Sequence, residues 1–159
     1  MPITDKFFAI NIRKYLALGD DHEAGESALI QLLSGFSCPK NPDVEHFLKK
    51  NAIEFTKKNQ SVTYLVFSKD NGEMLGYFTL ALKPLTIRGE TVSNTTKRKL
   101  LRVSELDVKS DTYTMSAYLI AQLGKNYADG RNREIAGKEL IELAWMIIEK
   151  TQYMFGGMV

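Results

Sequence analysis

Cysteine and histidine are almost absent from this chain. Among 159 residues, Cys38 is the single cysteine, and His22 and His46 are the only histidines. A single cysteine excludes an intramolecular disulfide bond. So few thiol and imidazole ligands also argue against a structural zinc or iron centre. We therefore expect a protein that holds no metal.

Long apolar runs and a large excess of one charge are also missing. No segment approaches the roughly 20 apolar residues that span a bilayer, and Met1–Lys6 has none of the features of a signal peptide. The net charge of +2 is too small to favour nucleic acid or a membrane surface as a partner. We expect a cytoplasmic protein without membrane contact and with no strong nucleic-acid signal.

The composition that remains is that of an ordinary globular protein. Hydrophobic residues make up 44% of the chain and charged residues 25%, which is sufficient for a substantial core. At this length we expect a single domain over residues 1–159.

Two amphipathic helices are predicted after a short apolar strand at Phe7–Ile12. Asp20 or Asp21 is expected to cap the first helix and Gly35 to end it. The second helix has Asn41 as its cap and Pro42 in the first helical position. Its inner face would consist of Val44, Phe47, Leu48, Ala52 and Phe55.

A β-hairpin is predicted next. Val62–Phe67 is rich in β-branched and aromatic residues, Asp70–Gly72 is a tight-turn signal, and Met74–Leu82 alternates like a returning strand. Gly76 indicates a bulge or a close backbone approach. Pro84 is expected to end the strand or to confine it to a sheet edge.

The segment from Leu85 to Thr112 carries weaker signals. Gly89–Glu90 is typical of a turn, and Ser93 or Asn94 would cap a short helix that contains Lys97–Leu101. We interpret the basic residues of this helix as a solvated surface rather than a phosphate site.

A strand, a polar loop and an amphipathic helix are predicted at the end of the chain. Tyr118–Gly124 is the strand, Lys125–Arg133 the loop, and Glu134–Lys138 leads into a helix that runs to about Gln152. The inner face of this helix would consist of Leu140, Ile141, Ala144, Ile147 and Ile148. A following strand that begins near Met158 would run parallel to Tyr118–Gly124. A loop that enters a helix offers unpaired N–H groups and the positive end of the helix dipole to a phosphate.

The predicted order is therefore β-α-α-β-β-β-α, with Ala121–Leu123 at a strand end and Asn132–Gly137 before a helix. In this order and at these positions the chain resembles the GNAT superfamily of acyl-CoA-dependent N-acyltransferases. The resemblance covers nearly the whole chain but corresponds only to the first two-thirds of that fold. The family pattern is Q/R-x-x-G-x-G/A. Here Asn132 replaces the Gln or Arg, Ile135 replaces the first glycine, and Gly137 is kept.

The resemblance implies an α/β fold of the α+β type. It would be a GNAT-like mixed, mainly antiparallel sheet with helices on both faces, truncated at the C-terminus. It also implies acetyl-CoA as the acyl donor, with the pantetheine arm bonded to the backbone of Ala121, Gln122 and Leu123 like an added strand. The pyrophosphate would lie over the helix start, at Asn132, Arg133, Glu134, Ile135, Ala136, Gly137 and Lys138. Arg131 or Lys125 would reach the adenosine phosphate.

The catalytic residues stay open at this point. The backbone N–H near Leu123 could serve as an oxyanion donor. Three carboxylates lie near predicted strand ends, and each is more simply an exposed acid: Glu73, Glu105 and Asp107. Core or rim packing is expected for the tyrosines in this part of the chain, which are Tyr113, Tyr118, Tyr127 and Tyr153. Cys38 is expected to be a packed small residue beside Pro39 rather than a nucleophile.

Three functions remain in competition. The first is transfer of an acetyl group from acetyl-CoA to an amine of a small molecule, of a protein or of an aminoacyl-tRNA, as in toxin members of the superfamily. The second is a non-catalytic CoA-binding or interaction module on a GNAT-like scaffold. The third is a protein whose sheet is completed by a second copy, because an open strand edge at Tyr118–Gly124 attracts another strand.

Overall fold

The structure is a computed structural model that describes residues 1–18 and 22–158. Its helices are α1 (Ile3–Lys6), α2 (Arg13–Leu16), α3 (His22–Ser34), α4 (Pro42–Lys50), α5 (Ala52–Lys57), α6 (Asn94–Leu100) and α7 (Gly137–Phe155). Its strands are β1 (Phe7–Asn11), β2 (Val62–Ser68), β3 (Met74–Arg88), β4 (Glu105–Asp107) and β5 (Thr112–Lys125). Short 3-10 helices occupy Gly89–Thr91 and Ala128–Arg133.

The five strands form one sheet in the order β1-β2-β3-β5-β4. The pairs β1–β2, β2–β3 and β4–β5 are antiparallel. A parallel bridge joins Ala117 to Met158, as the sequence predicts for a strand that begins near Met158. The mixed, mainly antiparallel sheet of the predicted fold class is therefore confirmed.

The described residues group into two compact units. The strands β3 and β5 each contribute residues to both units. The first unit contains residues 1–81 and 120–147, and the second contains residues 82–119 and 148–159.

The first unit buries the sheet on both faces, as the alternation of its strands requires. On one face Leu65 and Tyr77 pack with the apolar residues of α3 and α4, including Leu29, Leu33 and Leu48. On the other face Val66 and Phe78 pack with α7 through Leu140, Leu143 and Ala144. Each fully buried side chain of this size stabilises the fold by about 1.5–3 kcal/mol. Helices on both faces of the sheet are thus confirmed.

Gly76 has both roles that its position in the hairpin predicts. The register of β2 and β3 shifts between Val66 and Phe67, so a bulge lies beside Gly76. A Cβ on Gly76 would also lie 2.6 Å from the carbonyl oxygen of Gly124. Only glycine permits this approach of the two strands.

The second unit is built on the outer halves of β3 and β5. The Thr86 and Thr114 hydroxyls are 3.1 Å apart, and Gly89 donates its N–H to the Asp111 carbonyl at 2.7 Å. The Ser93 hydroxyl caps α6 by accepting from the Thr96 N–H. The predicted basic helix and its cap are therefore confirmed.

Several predicted boundaries are wrong. The second helix is divided at Asn51, whose φ of −120° is not helical, and the Asn41 side chain makes no capping bond. The strand β3 continues beyond Leu82 to Arg88, so its predicted end is wrong. Its pairing with β2 ends at Leu80, so Pro84 lies on an edge, which is the second of the two roles predicted for it. The predicted caps Asp20 and Asp21 lie outside the described residues.

The last strand and the last helix are both longer than predicted. β5 begins at Thr112, where β4 provides a partner that the sequence does not indicate, and α7 continues to Phe155. Ile141 is half-exposed rather than buried, because Leu140, Leu143 and Ala144 set the inner stripe of the helix and Ile141 lies beside it.

Candidate functional site

The inner half of β5 has one free edge. β3 lies on one side of this strand. On the other side β4 pairs with Thr112–Thr114, and Met158 forms a parallel bridge to Ala117. Within residues 1–18 and 22–158, no strand covers Ala121, Gln122 and Leu123 on that side. Backbone groups at such an edge can pair with an extended ligand.

Asn126 ties the end of β5 to two neighbouring segments. Its side chain is fully buried and donates from Nδ2 to the Met74 carbonyl at 2.9 Å. Its Oδ1 accepts from the N–H groups of Ser37 and Ala128 at 3.1 Å each. Its own N–H donates to Leu75 at 2.8 Å. The start of the loop is consequently held in one conformation.

Tyr127 follows with two lysines over its ring. The ammonium groups of Lys40 and Lys125 lie 5.5 Å and 6.0 Å from the ring centroid. The Tyr127 N–H donates to the Ser37 carbonyl at 2.7 Å, so the backbone at Tyr127 is attached to the connector between α3 and α4.

The middle of the loop is braced by the turn of the β2–β3 hairpin. Asp129 and Gly130 have φ values of 52° and 74°, which turn the chain within its 3-10 segment. The Arg131 guanidinium then meets the Glu73 carboxylate at 2.6 Å, and the Asn71 amide donates to Glu134 at 2.9 Å.

Ile135 and Gly137, at the helix start, have opposite environments. The Ile135 side chain is buried in the core cluster of α7. The Ala136 N–H donates to the Glu139 side chain at 3.0 Å, which is half of a capping box. Nothing lies within 4 Å of a Cβ placed on Gly137.

The first turn of α7 leaves backbone donors free. In the described part of the chain, the N–H groups of Gly137 and Lys138 have no acceptor. They lie at the positive end of a helix of 19 residues. An anion that reached them would gain both hydrogen bonds and the helix dipole.

The predicted site residues all belong to the first unit. Ala121, Gln122 and Leu123 form the strand edge, and Gly137 and Lys138 offer the helix start. Asn132, Arg133 and Ala136 lie at or near the surface, Glu134 is bonded to Asn71, and Ile135 faces the core.

Sequence reasoning missed Asn126, Glu139 and the Glu73–Arg131 pair as parts of this site. The only local signal for this contact is the acid Glu139 itself, in the first turn of the predicted helix. Nothing local indicates the pairing of Glu73 with Arg131, because the two residues are distant in the chain.

The other candidate residues have ordinary surroundings. Cys38 is buried, as predicted. Tyr113, Tyr118 and Tyr127 pack or bond as expected, but Tyr153 is 94% exposed, so its predicted packing is wrong. Glu105 and Asp107 are exposed acids. The pKa of Asp107 is lowered, mainly because the Ser110 side chain donates a hydrogen bond to its carboxylate.

A buried phenol lies in the core cluster that packs against α3 and α4. Tyr77 donates its hydroxyl to the Val44 carbonyl at 2.6 Å. Burial raises the pKa of Tyr77 strongly, and the nearby Cys38 thiol adds to the shift. Tyr77 therefore acts as a neutral structural donor.

Within the described ranges, no three His, Cys, Asp or Glu residues are grouped as metal ligands would be. No helix there is long and apolar enough to cross a membrane.

Solved structures that include bacterial toxins share this fold. A tyrosine-to-phenylalanine mutant of KacT is 16% identical and covers 95% of this chain and 74% of its own, with a TM-score of 0.61. AtaT complexed with acetyl-methionyl-tRNAfMet is 14% identical and covers 94% and 73%, with a TM-score of 0.57. A further bacterial toxin is 10% identical and covers 94% and 68%, with a TM-score of 0.55.

Neither a protein-family model nor a curated protein matches the sequence. At identities this low, the solved structures establish the fold alone. The chain has a GNAT-like fold, as its element order predicts.

Proposed function

We propose that this protein is an N-acetyltransferase that transfers an acetyl group from acetyl-CoA to an amine. The observation that carries the proposal is the free β5 edge followed by a braced loop and two unpaired N–H groups at Gly137 and Lys138. An extended arm that ends in phosphates needs this succession of backbone donors.

The residues present fit such a cofactor. Ala121, Gln122 and Leu123 would bond the pantetheine arm, and the first turn of α7 would bind the pyrophosphate. Although Ile135 replaces a glycine, its side chain points into the core and leaves the outer side of the loop open. The donors are backbone groups, so the replacement does not remove them.

Acetyl-CoA would supply the acyl group as a thioester. The chain would hold it along β5, and the backbone N–H near Leu123 would face the carbonyl oxygen as charge develops there. The strand edge would also align the arm for attack by the acceptor amine.

The acceptor belongs to this proposal as well. AtaT is complexed with acetyl-methionyl-tRNAfMet, so an aminoacyl-tRNA should be tested beside small amines and protein amines. The net charge of +2 is small for a tRNA-binding protein, which makes the comparison of acceptors informative.

The first test is binding of acetyl-CoA, measured by isothermal titration calorimetry with wild type, Gly137→Pro and Gly137→Ala. Proline is well accepted at the first position of a helix but has no N–H. Alanine adds a Cβ and keeps the N–H. We expect Gly137→Pro to bind about tenfold more weakly than Gly137→Ala, as the loss of one charge-assisted hydrogen bond predicts. Equal affinities would exclude Gly137 as a phosphate donor, and no binding by wild type would exclude the proposed function.

A non-catalytic CoA-binding module is the second candidate. It is favoured by the Glu73 carboxylate, which pairs with Arg131 and so braces the loop instead of facing the strand edge as an unpaired acid. Thiol release from acetyl-CoA in the presence of the three acceptor classes separates the candidates. Release that depends on the acceptor supports the transferase, and binding without release supports the module.

A further inference from the structure

We propose that a surface groove of the second unit binds a free amino acid with an apolar side chain. Arg102 would pair with its carboxylate and Glu105 with its ammonium group. The groove has a volume of about 550 Å³, which lies within the usual range of small-molecule sites, roughly 300–1,000 Å³. This inference deepens the proposed function, and it rests on that function only where the amino acid is taken as the acceptor amine.

Two side chains of opposite charge line this groove. Within residues 1–18 and 22–158, neither the Arg102 guanidinium nor the Glu105 carboxylate forms an ion pair. Both residues are exposed, so a ligand can reach them. A ligand with a single charge would be attracted by one side chain and repelled by the other, whereas a zwitterion pairs with both.

The groove is also partly apolar. Val103, Met115 and Met158 line it, and Met115 is only 8% exposed. Apolar walls together with a few polar groups are typical of sites that bind small molecules. An aliphatic side chain on the amino acid would be removed from water there, which favours leucine-like ligands over glycine.

Glu105 is also the one acid of the three candidate carboxylates that has no side-chain partner in the described part of the chain. The Glu73 carboxylate pairs with Arg131. The Asp107 carboxylate accepts from the Lys109 N–H at 3.0 Å. An ammonium ion can therefore bind Glu105 without displacing a group of the protein.

Backbone pairing holds the lining residues in place. Glu105 pairs with Thr114 where β4 meets β5. Met158 donates its N–H to the Ser116 carbonyl at 2.8 Å, and its own carbonyl accepts from the Tyr118 N–H at 2.7 Å. A groove whose backbone is already ordered loses less entropy when it binds a ligand.

The test titrates the isotope-labelled protein with L-leucine and records amide chemical shifts by NMR in the absence of acetyl-CoA. We expect saturable shifts at residues 102–105 and 114–116, with a dissociation constant on the order of 1 mM, because both ion pairs are exposed. Isoamylamine is leucine without its carboxylate, and isocaproate is leucine without its amine. Each should bind about fivefold more weakly than leucine.

Two single variants separate the roles of the charged residues. Arg102→Gln should lose the preference for leucine over isoamylamine, and Glu105→Gln should lose the preference for leucine over isocaproate. The matched control Arg88→Gln/Glu90→Gln removes one cation and one anion from an exposed pair of the same unit and should keep both preferences. Preferences that survive in both single variants would overturn this inference, as would the absence of saturable shifts with wild type.

The acceptor role is measured separately, by thiol release from acetyl-CoA with leucine as the amine. We expect Arg102→Gln to raise the KM for leucine about fivefold and to leave the KM for isoamylamine unchanged. Leucine binding without thiol release would support the groove and overturn its role as the acceptor site. Failure of wild type to bind acetyl-CoA would overturn the proposed function, whereas leucine binding would still support the groove.

Discussion

Asn126 makes four hydrogen bonds, three through its side chain and one through its backbone N–H. It joins β5, the β2–β3 hairpin and the connector after α3, and it is fully buried. Buried polar groups that are completely paired specify one arrangement, and they become costly when one partner is removed.

Replacement of Asn126 by leucine tests this role. Asn126→Leu has a similar volume but leaves the Ser37 N–H, the Ala128 N–H and the Met74 carbonyl without partners. We expect the free energy of unfolding to fall by about 2–4 kcal/mol, as measured by urea denaturation. The exposed control Asn94→Leu should change it by less than about 0.5 kcal/mol. A loss of similar size in both variants would contradict the role assigned to Asn126.

Tyr77 predicts the response of the protein to alkaline pH. Burial raises its pKa above the ordinary value of 10.0, so the folded state retains a proton that the unfolded state releases. Its contribution to stability is therefore complete below about pH 10 and declines as the pH rises above that value. Tyr77→Phe should be less stable at pH 7, because the Val44 carbonyl loses its donor, and should lose less stability between pH 9 and about pH 11. Thermal unfolding at several pH values measures both effects. Parallel pH profiles for the two proteins would show that Tyr77 is not the titrating group.

At the scale of elements, two side-chain contacts join the turn of the β2–β3 hairpin to the loop after β5. Arg131 meets Glu73, and Asn71 meets Glu134. A loop that contains Asp129 and Gly130 with positive φ would otherwise sample several conformations. The hairpin therefore limits the positions from which the candidate loop can meet a phosphate.

A double-mutant cycle on Glu73 and Arg131 measures this brace. Because the pair is partly exposed, we expect a coupling energy of only about 0.5–1 kcal/mol. Hydrogen exchange should be faster at residues 127–134 in Glu73→Gln and unchanged in α3. The exposed pair Lys58–Glu54 provides the control, and its loss should leave exchange in the loop unaffected. Unchanged exchange at residues 127–134 in Glu73→Gln would mean that the pair does not hold the loop.

The elements themselves are largely predictable from local patterns. The turn at Asp70–Gly72, the capped basic helix at Asn94–Leu100 and the stop at Gly35 all follow from backbone preferences of single residues. The break at Asn51 and the exposure of Ile141 do not, because tertiary packing chooses which apolar stripe of a helix is buried.

The candidate site is predictable only in its backbone. The strand edge at Ala121–Leu123 and the helix start at Gly137 follow from the order of elements. The side chains that shape the loop do not, because Asn126, Glu73 and Lys40 act on residues far away in the chain. Their roles depend on pairings that no local spacing encodes.

At the scale of the whole molecule, stability is unevenly distributed. Both large buried clusters consist of residues of the first unit. The second unit buries fewer large side chains, among them Tyr113 and Met115. Regions with fewer buried apolar contacts open at lower free energy.

Native-state hydrogen exchange should show this distribution. We expect the slowest amides in β2, in the inner half of β3 and in the part of α7 near Leu140. Amides of α6 and β4 should exchange by local opening at least about tenfold faster. If amides of α6 and β4 were as protected as those of β2, the clusters of the first unit would not be the last parts to open.

The inward side chain of Ile135 has a consequence for the rate at which a ligand arrives. A glycine-rich loop gains order when it closes around phosphates, and that ordering opposes association. Because Ile135 is buried in the core, the loop of this protein is already ordered. Opening of the loop would expose the Ile135 side chain to water. If acetyl-CoA binds as proposed, its association should therefore be a single fast step, and differences in affinity among related ligands should lie in their dissociation rates.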